Sequence, residues 1–157
     1  MEQEMNQQPE WYKLAEVELV YKTKVKASER PMVRDSKSMY ELLKSCWNND
    51  RIEMMEEFKV VFLNRANRVI GVYHVSSGGI TGTVADPRLI LAAAIKTLSV
   101  SMILSHNHPS GNLLPSRADE ELTCKIKEAA KYHDIKLLDH IIMSTEGYYS
   151  FADEGLL

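Results

Sequence analysis

Cysteine is scarce in this chain: Cys46 and Cys124 are the two present in 157 residues, and no CxxC pair places them in a redox or zinc-ribbon pattern. That excludes a disulfide framework. Two free thiols, expected to be buried, fit a reducing cytoplasm better than an oxidising compartment. Long apolar runs are missing as well. The longest, residues 89–95, has seven residues, against the roughly 20 that a helix needs to cross a bilayer. The opening MEQEMNQQP carries no basic-then-apolar leader pattern. Positive charge is not in excess: 19 Lys and Arg stand against 22 Asp and Glu, a net charge of −3, so the basic footprint that phosphate contacts require is absent. There is no HExxH, P-loop or GxGxxG, and no H-x-E…P-C-x-x-C pair, which removes the commonest routes to zincin, nucleotide-binding and deaminase chemistry. These absences predict a soluble cytoplasmic domain without a membrane partner and with weak DNA binding by this chain alone.

What is present reads as one globular domain, with 45% hydrophobic and 26% charged residues. Residues 1–10 form a polar tail and residues 11–157 the domain. In AEVELVYKTKV, Val17, Leu19 and Tyr21 alternate with charged neighbours, the pattern of a half-buried strand. Ser36 is placed to cap a helix over KSMYELLKSCWN, whose Met39, Leu42, Leu43, Cys46 and Trp47 share one face. EEFKVVFLNRANRVIGVYHV reads as a hairpin turning at residues 64–68, followed by the glycine-rich SSGGITGT. There Gly78, Gly79 and Gly82 suit turns or a close backbone approach. DPRLILAAAIKTL is a helix with Asp86 as cap and Pro87 at its first position. SVSMILS reads as a short apolar strand bounded by polar residues. A helix opening at Ser116 turns Leu122, Ile126, Ala129 and Ala130 inward, and IKLLDHIIMS and GYYSF are the last strands. Strands and helices alternate through the second half, so the expected architecture is α/β, a mixed sheet covered by helices.

One stretch asks for more than folding does. SHNHPSGNLLPSRAD sets His106 and His108 two residues apart at a strand end, and Ser116 and Asp119 at the start of the next helix. Residues i and i+2 of a strand point to the same side, so both imidazoles can serve one point. The loop PSGNLLP can fold Asp119, one turn into the helix, back toward them. Two imidazoles and a carboxylate are a usual catalytic zinc set with one tetrahedral position left open. Taken singly, each half has a plainer reading. An HxH pair at a strand end can bond backbone or solvent, and Ser116 with Asp119 is also a helix cap followed by an acidic third position.

The whole pattern, His-x-His-x7-Ser-x2-Asp, resembles the JAMM signature of the JAB/MPN metalloprotease superfamily, matched without a gap from His106 to Asp119. HNHPSG, PSRAD and LLDHII are similar to the bacterial RadC family in particular, over about residues 17–151. The resemblance implies a single JAB/MPN domain with a deaminase-like three-layer arrangement, and one zinc ion held by His106, His108 and Asp119. It implies that Ser116 supplies the hydroxyl that hydrogen-bonds a developing oxyanion. It also calls for an acidic residue on the first strand of the hairpin, and in MEEFKVVFLN Glu56 occupies that place, with Glu53 and Glu57 as neighbouring carboxylates. A carboxylate there would act as general base. The implied function is a zinc-dependent hydrolase of peptide or isopeptide bonds in a peptide or protein substrate. The alternative is a DNA-repair or mobile-element accessory protein acting by nucleic-acid or protein binding. The resemblance also implies, for full-length RadC proteins, a helix-hairpin-helix DNA-binding region before this domain, which the 157 residues are expected to lack. His74 and His133 are expected at the surface, and Asp139 and His140 in a structural hydrogen bond or a contact behind the metal ligands.

Overall fold

The computed structural model describes residues 20–78 and 84–157. Of the first expected strand, Val17 and Leu19 lie outside these residues, as do Gly79 and Gly82, while Tyr21 is described and is not in a strand. Among the described residues the elements are, in chain order, α1 (Ser36–Cys46), β1 (Glu57–Leu63), β2 (Val69–Ser77), α2 (Pro87–Lys96), β3 (Ser101–Asn107), α3 (Arg117–Lys131), β4 (Lys136–Met143) and β5 (Tyr148–Ser150), with a 3-10 turn at Ala27–Glu29 before α1. The five strands form one mixed sheet in the order β2-β1-β3-β4-β5. Only β3 and β4 run parallel, joined by α3 as the helical crossover that parallel neighbours require.

Two-residue alternation sorts the central strands between two layers. Val61 and Leu63 of β1, Ile103 of β3 and Ile141 and Met143 of β4 pack beneath α1, with Met39, Tyr40, Leu43 and Trp47. Phe58, Val60 and Phe62 of β1, and Met102 and Leu104 of β3, face the other way. There they meet Ile90 and Ala94 of α2 and Ile126 and Ala130 of α3. β1 and β3 are buried along their whole length, as strands covered on both faces must be, whereas β2 alternates as an edge strand does. The result is the expected three-layer α/β arrangement.

Several local expectations are met and some are corrected. Asp86 caps α2, accepting from the Arg88 amide at 2.9 Å, with Pro87 next. The cap of α1 is not Ser36 but Asp35, whose carboxylate accepts from the Ser38 amide at 2.7 Å while the Ser38 hydroxyl accepts from the Asp35 amide. Ser36 is instead the first helical residue, and its hydroxyl donates to Asp153. Neither thiol is buried: Cys46 and Cys124 are both exposed. Helix α1 ends at Cys46 and the backbone turns extended at Trp47, so the indole rather than the thiol folds into the core. On α3 the buried positions are Thr123, Ile126 and Ala130, with Leu122 and Ala129 half-covered. Among the described residues no helix is long and apolar enough to cross a membrane.

Candidate metal centre

The site lies where β3 ends and α3 begins. Strand alternation turns His106 toward the α2/α3 layer, and its ring lies nearly parallel to that of Phe58, its partner on β1, at 5.8 Å between centroids. His108 is one step past the strand, but its amide still donates to the Met143 carbonyl at 3.2 Å, extending the ladder to β4 and holding the side chain on the same side. The chain then turns at Gly111, whose φ of +78° other residues resist. That turn brings the Asn112 carbonyl onto His108 Nδ1. Ser116 caps α3 and Asp119 closes the capping box: Ser116 Oγ accepts from the Asp119 amide at 3.2 Å, while the Ser116 amide donates to Asp119 Oδ2 at 2.7 Å. The cap expected as the plainer reading and the ligand position are therefore one structure, because capping orients the carboxylate.

The three expected ligands are brought together. Donor atoms of His106, His108 and Asp119 all lie within 4.8 Å of one another. The two Nε2 atoms are 2.9 Å apart, and they stand 3.3 and 3.7 Å from the Asp119 oxygens. Ligands at zinc bond lengths are separated by about 3.4 Å along a tetrahedron edge, so these distances bracket what the ion needs. The chemistry of the donor set fits as well. His108 Nδ1 faces a carbonyl and must carry the proton, which leaves the Nε2 lone pair of a neutral ring pointing at Asp119. Two ring nitrogens and a carboxylate aimed at one point repel unless a proton or a cation lies between them.

Electrostatics agree. The hydrogen bond to Asp119 raises the His108 pKa above its ordinary value, against the opposing pull of burial, with help from the Asn112 carbonyl and the charges of Asp119 and Glu56. Burial pushes Asp119 upward. Hydrogen bonds with His106 and His108, the His106 charge and the Ser116 hydroxyl outweigh it and hold the carboxyl well below the usual range. The Ser116 hydroxyl itself donates to Asp119 Oδ2 at 2.6 Å.

Glu56 immediately precedes β1, is half-buried, and lies near enough for its charge to act on His108. It falls on the same alternating face as Phe58, the face that carries His106. Glu57 points to the other face, 3% exposed, and is engaged by Lys59 at 3.3 Å and Arg51 at 3.5 Å. Glu53 is exposed and accepts from the Thr145 hydroxyl. His74 is exposed on β2 beside Ser77, and His133 is exposed past α3, as expected. Asp139 accepts from the Ser150 hydroxyl and the Ala152 amide, and burial raises its pKa against those bonds.

Two side chains, Asn107 and Thr123, carry more than the sequence reading assigned to them. Asn107, left aside because alternation turns it away from the histidines, does face the α1 layer. There it accepts from the Glu57 amide at 2.7 Å and donates to the Ile52 and Met55 carbonyls at 2.6 and 2.9 Å, tying down the segment that carries Glu56. His140 of β4 makes the contact expected of it behind His106, reaching His106 Nδ1 through its own Nε2 at 2.8 Å, and burial pushes its pKa well below the ordinary value. Thr123, not singled out, bonds His140 Nδ1 at 2.6 Å. Its signal was its place four residues after Asp119, on the same helical face.

The family comparison matches residues 33–156 to the RadC-like JAB domain. A UPF0758 protein of Flavobacterium johnsoniae is 50% identical over 101 residues, covering 64% of this chain and 44% of the relative. Relatives from Porphyromonas gingivalis and Symbiobacterium thermophilum, also UPF0758 proteins, are 45% and 42% identical over 103 residues each. The matches cover 65% and 66% of this chain, 45% and 44% of those relatives. The chain thus spans under half the length of the curated relatives it matches. With the matched region running through α1 to β5 and including every residue of the metal centre, this chain belongs to the RadC-like JAB domain family.

Proposed function

We propose that this chain is a zinc-dependent hydrolase of peptide or isopeptide bonds. The observation that supports it best is the convergence of His106 Nε2, His108 Nε2 and the Asp119 carboxylate on one point, with both imidazole Nδ1 atoms already occupied. These three residues would hold the ion. When bound, zinc supplies Lewis acidity, polarising a carbonyl and making water acidic enough to lose a proton near neutral pH. Glu56, half-buried on the His106 side of β1, takes a proton from the attacking water and returns it to the leaving amine. Ser116 turns its hydroxyl from Asp119 Oδ2 to the carbonyl oxygen as negative charge develops there. A groove of about 300 Å³ beside His108, lined by Ile52, Glu53, Ser110, Ser144 and Thr145 among others, offers room for the substrate chain.

The test is calorimetric titration of metal-free protein with zinc, followed by peptide and isopeptide substrate profiling of the loaded protein. One zinc per chain is expected, with binding abolished in His106→Ala and amide hydrolysis abolished by a chelator. Absence of zinc binding sinks the reading. Salt-dependent DNA binding without amide hydrolysis would transfer it to the DNA-repair or mobile-element accessory role.

A further inference from the structure

Behind the metal centre, on the side away from solvent, four polar groups form a closed relay. The Thr123 hydroxyl donates to the Asp119 backbone carbonyl at 2.6 Å. A carbonyl can only accept, so the threonine proton is committed there, and Thr123 Oγ1 can meet His140 Nδ1, 2.6 Å away, only as an acceptor. His140 must therefore carry its proton on Nδ1. A neutral ring, the form expected of an imidazole with no solvent exposure and no carboxylate partner, then presents a lone pair at Nε2. That lone pair faces His106 Nδ1 at 2.8 Å, so His106 carries a proton on Nδ1 and turns Nε2, the nitrogen left for a metal, toward His108 and Asp119.

We infer that His140 and Thr123 are positioning residues for metal binding, which set the tautomer and ring angle of His106 through a chain of hydrogen bonds that starts on the backbone of another ligand, Asp119. The inference rests on the zinc reading above and adds to it the residues that prepare the ligand. The direction of the relay is set by its one fixed end, the carbonyl. Each later proton position follows because every intermediate group has a single partner on each side. The rings are also locked by packing: His140 is stacked on Phe151 with centroids 4.7 Å apart and meets Phe58 edge-on at 5.6 Å, while Phe58 lies along His106. Because the relay connects His106 on β3 to Asp119 on α3 through β4, it couples two ligands whose spacing in the sequence does not by itself determine their mutual angle.

The experiment compares zinc affinity of the wild type, Thr123→Val and Thr123→Ser by competition with a chromophoric chelator. Visible spectra of the cobalt-loaded forms and melting of the metal-free forms accompany it. Valine keeps the shape and removes the hydroxyl, so zinc affinity is expected to fall roughly 10–100-fold, the usual worth of a group supporting a ligating histidine. The cobalt bands should shift, and serine should restore both. Independently of any variant, long-range nitrogen–proton NMR of the metal-free wild type is expected to show His140 and His106 both protonated on Nδ1. A His140 ring protonated on Nε2, or a folded Thr123→Val with unchanged affinity and cobalt spectrum, overturns the inference while the zinc reading survives. A wild type that binds no zinc overturns both.

Discussion

Glu56 and Glu57 are adjacent, yet strand geometry separates them completely. Glu56 belongs to the His106 face, whereas Glu57 is buried on the other and paired with Lys59 and Arg51. Glu56→Gln is therefore expected to bind zinc normally and to lose hydrolysis by roughly 10²–10⁴-fold, measured by single-turnover kinetics on a cleavable peptide. Glu57→Gln is expected to lower stability by roughly 1–3 kcal/mol, because it weakens the partnership of a buried lysine, with turnover of the folded protein intact. Reversed phenotypes would move the base by one residue.

The His108–Asp119 pair sets a pH window for the metal-free protein. Asp119 lies below its ordinary 3.8, so its contribution to stability is present above that value and is lost as pH falls through the folded pKa. His108 lies above its ordinary 6.5, so its contribution is present below 6.5 and is lost as pH rises through the folded pKa. Between 3.8 and 6.5 both act. Urea denaturation of the metal-free wild type and His108→Gln should differ most inside that window, and a pH-independent difference would count against the pairing. Zinc must displace the His108 proton, so its affinity should weaken as pH falls through the raised value.

At the scale of elements, the site depends on how the end of β3 is tied to the start of β1. Asn107 is the tie: one side chain satisfies the Glu57 amide and the carbonyls of Ile52 and Met55, three backbone groups that β1 pairing leaves over. Asn107→Asp keeps the acceptor for Glu57 but sets a second carboxylate oxygen against two carbonyls. We expect a loss of roughly 2–4 kcal/mol in chemical denaturation, from buried acceptors left unpaired, with one zinc still bound. Wild-type stability in this variant would show the tie to be dispensable. The alternation that turned Asn107 away from the metal was legible in HNH. Its partners were not, because they lie 52 and 55 residues away. The cap of α1 was misplaced by one residue for a related reason: Asp35 and Ser36 are both good caps, and the contact of Ser36 with Asp153 decides between them.

For the molecule as a whole, the sheet divides two cores with different relations to the site. Leu43 is fully buried in the α1 layer, and Ile126 is fully buried beneath α3, the helix that carries Asp119. Either change to alanine should cost roughly 2–5 kcal/mol. Only Ile126→Ala is expected to weaken zinc binding in the folded protein as well, since it loosens the helix against the strand that holds the histidines. Thermal melts paired with zinc titration well below the melting range check this, and equal zinc affinity in the two variants would refute it.

By itself the sequence determined whatever depends on residues a few positions apart. Two-residue alternation placed His106 and His108 on one side, Asp86–Pro87 opened α2, and Ser116 with Asp119 opened α3. The family resemblance was equally legible, because it rests on a contiguous pattern, and the matched domain bears it out. Only the tertiary structure decided what stands behind those residues. Sheet order sets β3 between β1 and β4, so His140 meets His106 across 34 residues and Thr123 meets His140 across 17. The solvent exposure of Cys46 and Cys124 was settled in the same way, by where the helices end and which face they bury. Local spacing constrains a side chain's direction, whereas its partner depends on which strand becomes its neighbour, and that is set by burying both faces of the sheet at once.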